Sequence, residues 1–176
     1  RFRDDVRSFV KGEPGHAGTL ASRFLASPDI YGHRNREPEQ SVNFVTSHDG
    51  FTMNDLVSYN EKRNEANGEG NRDGHNENIS WNCGLEGPTD DPKIERLRNK
   101  QVKNLFTINV LAFGVPMLVM GDEVRRTQMG NNNAYCQDNE ISWIDWQREG
   151  IQSEIDFVTA LIELRKKHPL LNRTHY

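Results

Sequence analysis

Apolar positions along this chain fall into short patterned runs separated by long polar stretches. In RFRDDVRSFVKG, Phe2, Val6, Phe9 and Val10 recur at helical spacing and the run stops at Gly12, which predicts a helix and its terminator. Residues 13–40 are rich in Gly, Pro and polar groups apart from a short helical piece around TLASRFLAS. VNFVTS then reads as a strand. In KIERLRNKQVKNLFTINVLAF, Ile94, Leu97, Leu105, Ile108 and Leu111 follow a helical pattern up to Gly114, and PMLVMG is a continuous apolar run of the kind expected of a strand buried on both faces. EIDFVTALIELRKKHP predicts a closing amphipathic helix that ends at Pro169.

The resulting order of helix, strand, loop, helix, strand, loop, helix predicts an α/β fold, a parallel sheet with helical crossovers. Both polar loops follow the C-terminal ends of strands, where α/β folds bind ligands. The first strand stops on His48 and Asp49, followed by Gly50. Period-2 alternation would put Asn43, Val45, Ser47 and Asp49 on one face. From Gly50 to Pro92 the chain is dominated by Asn, Gly, Asp and Glu, and YNEKRNEANGEGNRDGHNENISWNCG is expected to supply no core. A loop of that length is functional or disordered.

Composition narrows the classes. At 176 residues the chain could hold one domain, but only 34% of residues are apolar and mean hydropathy is −0.83, lean for a free-standing globule. A net charge of −4 without long basic runs argues against nucleic acid and against a polybasic membrane segment. No stretch approaches the roughly 18 apolar residues of a membrane span. Cys83 and Cys136 cannot form a disulfide framework or a four-ligand zinc site; they are expected to be reduced and buried, or a single pair. The start at Arg1, with neither methionine nor a signal-like segment, suggests a piece of a longer chain. With no secretion signal in view, the cytoplasm is the expected compartment, and the glycosylation sequons at Asn78 and at Asn172-Arg173-Thr174 would matter only in a secreted chain.

Several residues admit two readings. An Asp after a strand is commonly a turn residue or helix cap, and His48 could be a buried, hydrogen-bonded imidazole. Asp122 and Glu123 could hold loops, through Arg125 or Arg126, or touch substrate. Asparagine amides suit hydroxyl-rich ligands because they both donate and accept, yet they also suit solvated turns. Phe51, Tyr59 and Trp81 could stack on sugars or pack beneath the loop. Asp73, Asn76, Glu77 and Asn78 lack the order of a calcium loop, so no metal is expected.

FVTSHDG resembles the strand-seven motif of the α-amylase superfamily, family-13 glycoside hydrolases, whose F-V-x-x-H-D element ends a strand of a (β/α)₈ barrel. VSYNEKRNEANGEGNRDGHNENISWNCGLEGPTDD, GVPMLVMGDE and GNNNAYCQDNEISWIDW are similar to isoamylase-type glycogen debranching enzymes, over nearly the whole chain. The resemblance implies a partial TIM barrel, helix six to helix eight, with residues 1–176 as the C-terminal portion of a catalytic domain. It implies a retaining hydrolysis of α-1,6 branch linkages in glycogen, amylopectin or limit dextrin, with no organic cofactor. Asp49 matches the carboxylate that supports the transition state. His48, Asn64, Asn71, Asp73, Asn133 and Asp138 are the expected substrate contacts, with specificity placed in the loops at Glu61–Gly84 and Gly130–Glu140. The nucleophile Asp and acid Glu belong to strands four and five, so the remaining barrel and a C-terminal β-domain are expected partners, and this portion alone is expected to be inactive. The alternative is a carbohydrate-binding piece without turnover.

Overall fold

The computed structural model describes residues 1–34, 36–173 and 175; Thr174, and with it the second sequon, lies outside them. The chain divides into two compact units. The first comprises Arg1–Val45, Lys103–Leu118 and Asp156–Tyr176, the second Thr46–Val102 and Val119–Ile155.

The first unit is α/β. Helix α1 (Phe2–Lys11) ends at Gly12 as its pattern predicts, burying Phe2 and Val6 while Phe9 stays exposed. Helices α2 (Ala17–Phe24) and α3 (Pro28–Tyr31) follow. The Arg23 guanidinium is buried against the carboxylates of Asp5 and Asp29, joining the three helices. Strand β1 (Val42–Asn43) pairs in parallel with β2 (Val115–Pro116), in the register Val42 to Val115 and Asn43 to Pro116. The connection between them contains α5 (Pro92–Leu111), so the predicted strand–helix–strand crossover is present. The loop after β1 also carries the four-residue helix α4 (Met53–Leu56).

Three sequence expectations are corrected here. The strands are much shorter than VNFVTS and PMLVMG, and the second is not buried on both faces: Val115, Met117 and Met120 are exposed, as is Val42. Among the described residues the sheet has only these two strands, so each lacks the second neighbour that would cover it. The alternation along the first strand also fails beyond Val45. Asn43 and Val45 are buried, but Thr46 is buried too, while His48 and Asp49 are exposed. Finally, of the apolar positions that predict α5 only Leu105 is buried; it is joined by Val102, Phe106, Asn109 and Val110, while Ile94, Leu97, Ile108 and Leu111 are half-buried.

Helix α6 (Ile151–Lys167) packs Val158, Leu161 and Arg165 inward. The Arg165 guanidinium donates to the carbonyls of Val110 (2.6 Å), Ala112 (2.6 Å) and Gly114 (2.5 Å). These belong to the C-terminal end of α5 and the turn after it, where helix carbonyls have no partner of their own and where a cation also favours the helix dipole. Gly114 is the residue that allows this turn: its φ is +104°, and a Cβ there would sit 2.5 Å from the Ser41 carbonyl oxygen. The adjacent Asn43 amide donates to Phe113 O at 2.6 Å, fastening β1 to the same turn.

The second unit is built largely from the two polar loops. Phe51, Met53, Leu56, Val57, Tyr59, Cys83, Val102 and Val124 are its buried apolar residues among those described, with the Phe51 and Tyr59 rings 6.3 Å apart. The polar segment after Tyr59, expected to supply no core, contributes a buried one made of amides, described below.

Replacing Arg165 by Met should cost about 3–5 kcal/mol, because three carbonyls lose charge-assisted donors and are left out of water. Arg165→Lys should recover only part of this, since an ammonium lacks the planar fork. Urea unfolding of the two variants checks both statements; equal stability of Arg165→Met and wild type would refute them.

Candidate functional site

The His48–Asp49 turn is open to solvent, with side chains 91% and 64% exposed and 3.5 Å apart from Nε2 to Oδ2. Ser47 Oγ donates to the Asp49 carbonyl at 2.9 Å, closing the turn locally. Gly50, at φ +95°, donates its N–H to Asn132 O at 2.9 Å. The first polar loop is thus tied to the second next to Asp49.

Asn132 belongs to a lattice of amides that joins the two loops. Its Oδ1 accepts from Asn64 Nδ2 (2.9 Å) while its N–H donates to Asn64 Oδ1 (2.9 Å), a reciprocal pair. Asn132 Nδ2 donates further to His75 O (2.7 Å) and Asn78 Oδ1 (2.9 Å), and Asn64 Nδ2 to Asp73 O (2.9 Å). Alongside, Asn131 Nδ2 donates to Asn67 Oδ1 (2.9 Å), and Asn67 Nδ2 donates to Asp73 Oδ2 (2.7 Å) and Asn133 O (2.9 Å). Asn64, Asn131 and Asn132 are fully buried. Such groups are tolerated in a core only when their hydrogen-bonding capacity is used, and here it is. Gly74 leaves room for the central pair, because a Cβ on it would lie 2.2 Å from Asn132 Oδ1 and 2.6 Å from Asn64 Nδ2.

The lattice gives the expected sugar-binding amides a different employment. Asn64 has no access to solvent. Asn71 Oδ1 accepts from the Asn64 N–H (2.9 Å) and its Nδ2 donates to Lys62 O (3.2 Å). Asn133 Nδ2 donates to Asp73 Oδ2 (2.9 Å). Donation from Asn67 and Asn133 holds the Asp73 carboxyl below the ordinary carboxylate range, and its Oδ1 is out of solvent without a partner among the described residues. Asp138 is exposed and accepts from Trp143 Nε1 at 3.0 Å. The structure therefore brings Asn64, Asn71, Asp73 and Asn133 together as loop scaffolding, and leaves His48, Asp49 and Asp138 open.

Two buried carboxylates complete the scaffold. Asp122 accepts from Met53 N–H (2.9 Å) and from the Thr46 hydroxyl; burial pushes its carboxyl up to about 6 against the opposing pull of these donors. Of its two sequence readings, the geometry employs Asp122 to hold a loop. Glu123 accepts from Gly121 N–H at 2.8 Å. Asp55 went unnoticed in the sequence. It accepts from Thr127 Oγ1 (2.6 Å), Gln128 N–H (2.8 Å) and Gly130 N–H (3.3 Å), and burial raises its carboxyl above the usual range despite them. Its available signal was Thr52, three residues earlier, which caps α4 by accepting from Asp55 N–H.

Phe51 and Tyr59 are buried and Trp81 is half-buried, which leaves Tyr135, Trp143 and Trp146 as the exposed aromatic residues of these loops. Tyr135 is fixed by donation to Glu69 Oε1 at 2.6 Å. Cys83 and Cys136 are both free, one buried and one exposed; burial pushes the Cys83 thiol up to about 11. Among the described residues no cluster of three His, Cys, Asp or Glu side chains could hold a metal, and no helix is long and apolar enough to cross a membrane.

The glycogen operon protein GlgX homolog of Mycobacterium bovis is 51% identical over 100% of this chain. Isoamylase 3, chloroplastic, of Oryza sativa subsp. japonica is 44% identical, also over 100% of it. This chain belongs to the isoamylase-type family of glycogen debranching enzymes. It spans 24% and 23% of the length of those two relatives. No family model matches the sequence. The fold of this isoamylase-type chain is similar to part of the pullulanase of Anoxybacillus sp. LM18-11 crystallised with maltotetraose, with a TM-score of 0.72 at 25% identity, over 99% of this chain and 22% of the pullulanase.

Asn64→Asp should be far more damaging than its size suggests. It replaces a donor by an acceptor facing Asn132 Oδ1 and Asp73 O, and should cost on the order of 3 kcal/mol. Limited proteolysis should then cut within residues 61–84 and 127–140 before the rest of the chain; an unchanged digestion pattern would sink the lattice as the lock between the loops.

Because the Asp122 carboxyl is raised on folding, its contribution to stability is fully present below the unfolded value near 3.8 and is lost as pH rises through about 6. Relative to Asp122→Asn, which cannot titrate, the wild type should lose on the order of 3 kcal/mol between pH 4 and 6.5 and then level off. Unfolding free energies of both proteins across that window test the sign; parallel curves would contradict it.

Proposed function

We propose that the chain is the helix-six to helix-eight portion of a (β/α)₈ catalytic barrel, and that the protein containing it hydrolyses α-1,6 branch linkages of glycogen, amylopectin or limit dextrin with retention. The observation that carries this reading is the exposed Asp49 carboxylate beside His48 on the turn that follows β1, pinned by Gly50 N–H to the buried amide lattice. Membership of the isoamylase family supports it, as does the maltotetraose complex of the similarly folded pullulanase.

In this reading Asp49 acts as a fixed acceptor. It grips sugar hydroxyls and faces the positive charge of an oxocarbenium-like transition state, where charge-assisted hydrogen bonds are the stronger kind. His48 donates to a hydroxyl in the same subsite. A carboxylate at Asp49 cannot both attack the anomeric carbon and protonate the leaving oxygen, because those tasks need two groups in opposite protonation states. Nucleophile and acid are assigned to strands four and five of the proposed barrel, outside this chain, so these 176 residues alone should not turn over. The remaining barrel and a C-terminal β-domain are its partners, the cytoplasm its compartment, and no organic cofactor is needed. The amides of Asn64, Asn71 and Asn133 and the Asp73 carboxylate serve substrate indirectly, by fixing the loops around the branch point.

Asp49→Asn in the whole enzyme should lower kcat/KM on branched glucan by roughly two or more orders of magnitude. The melting temperature should stay nearly unchanged, since the side chain is exposed and holds no loop. Near-normal turnover would remove Asp49 from the chemistry and leave a carbohydrate-binding role without catalysis.

A further inference from the structure

Away from the His48–Asp49 turn, the second unit contains a cavity of about 430 Å³, within the range of small-metabolite sites. Three arginines, Arg98, Arg125 and Arg148, line it, with Glu95 as the one carboxylate among its lining residues. Glu95 is divided between two of them, Oε1 lying 3.2 Å from Arg98 Nη1 and Oε2 3.2 Å from Arg125 Nη1. Arg148 donates to Val124 O at 2.8 Å and lies 3.6 Å from Glu154. Asp55 sits behind the Thr127 wall, occupied by the donors already described.

Three guanidinium groups thus share two carboxylates in a protein whose net charge is −4. Arg98 is buried; its Nη2 donates to the carbonyls of Asn82 (3.1 Å) and Leu85 (2.5 Å), and its Nε is out of solvent with no hydrogen-bond acceptor among the described residues. Burying positive charge in excess of its carboxylate partners is costly, and an anion in the cavity would offset it. The rest of the wall suits a polar organic body: Tyr59 and Pro88 offer apolar surface, and Ser58 and Thr89 carry hydroxyls.

We propose that this arginine-lined cavity binds a phosphate monoester of a small polyhydroxy compound, its phosphate held by Arg125 and Arg148 above Arg98. Arginine forks match phosphate oxygens in pairs, and the cavity is larger than a bare phosphate requires. The site does not depend on the hydrolase reading of Asp49.

The test is calorimetric titration of the whole protein with inorganic phosphate, glucose 6-phosphate and glucose. Glucose 6-phosphate should bind saturably and at least several-fold more tightly than inorganic phosphate, and glucose should not bind in the cavity. Arg148→Gln should weaken glucose 6-phosphate at least tenfold while the ligand-free melting temperature stays near wild type. Arg125→Lys, which keeps the charge but loses the fork, should also weaken it. Arg96→Gln removes the same charge from an exposed position on α5 and should leave affinity within about twofold, since a screened surface charge contributes little. Absence of saturable binding would overturn the proposal, as would an equal effect of Arg96→Gln and Arg148→Gln. Equal affinity for inorganic phosphate would overturn the monoester in favour of the free anion.

Discussion

The reciprocal hydrogen bonds between Asn64 and Asn132 are the constraint on which the second unit depends. Two long polar loops, poor in apolar residues, have little hydrophobic surface with which to hold each other. Amide pairing replaces that force. Its net worth per bond is modest, about 1 kcal/mol, but its geometry is exacting, because each buried amide must find every partner or incur a desolvation penalty. Polar networks of this kind specify one arrangement when fully satisfied. The consequence reaches the candidate site through one bond, Gly50 N–H to Asn132 O, so the register of the second loop sets the position of the turn that carries Asp49.

The same economy recurs elsewhere. In the first unit, Arg165 from α6 satisfies the carbonyls at the end of α5, where the chain must turn into β2. In the second, Asp55 gathers the 127–130 turn and Asp122 gathers Met53 and Thr46. Each is a charged or ionisable side chain used as a hub for groups that no helix or sheet can satisfy. With strands only two residues long, the irregular backbone around them has many such groups, and every one that is buried needs a partner.

Much of the fold was legible because periodicity reports helices directly: α1, α5 and α6 lie where the apolar spacing put them, and the parallel pairing of β1 with β2 follows from the order of elements. The extent of the strands was not legible. PMLVMG has the composition of a buried strand, but burial is a property of neighbours, and Val115 and Met120 have none that cover them among the described residues. The amides misled for a related reason. Sequence gives an asparagine's capacity to donate and accept, not its partner, and a stretch such as YNEKRNEANGEGNRDG reads equally as sugar contact, solvated turn or lock. Asp49 and His48 were singled out by a local motif whose elements are contiguous, whereas the importance of Asp55 depends on Thr127, Gln128 and Gly130, more than seventy positions away.

In the proposed function Asp49 is a charge-stabilising carboxylate, and this division of labour follows from what such a group requires. To favour a transition state over a ground state it must already be in place, since any reorganisation during the reaction subtracts from the electrostatic gain. Asp49 has no burial of its own to fix it, and exposure leaves it accessible. Rigidity must therefore come from the backbone beneath, and a loop anchored only by solvated turns could not provide it. The buried amides beside the turn provide it without placing apolar surface or competing charge at the mouth. On this view the density of asparagine in the two loops reflects the demand for neutral groups that can be both donor and acceptor in a dry interior, where they position the turn that carries Asp49.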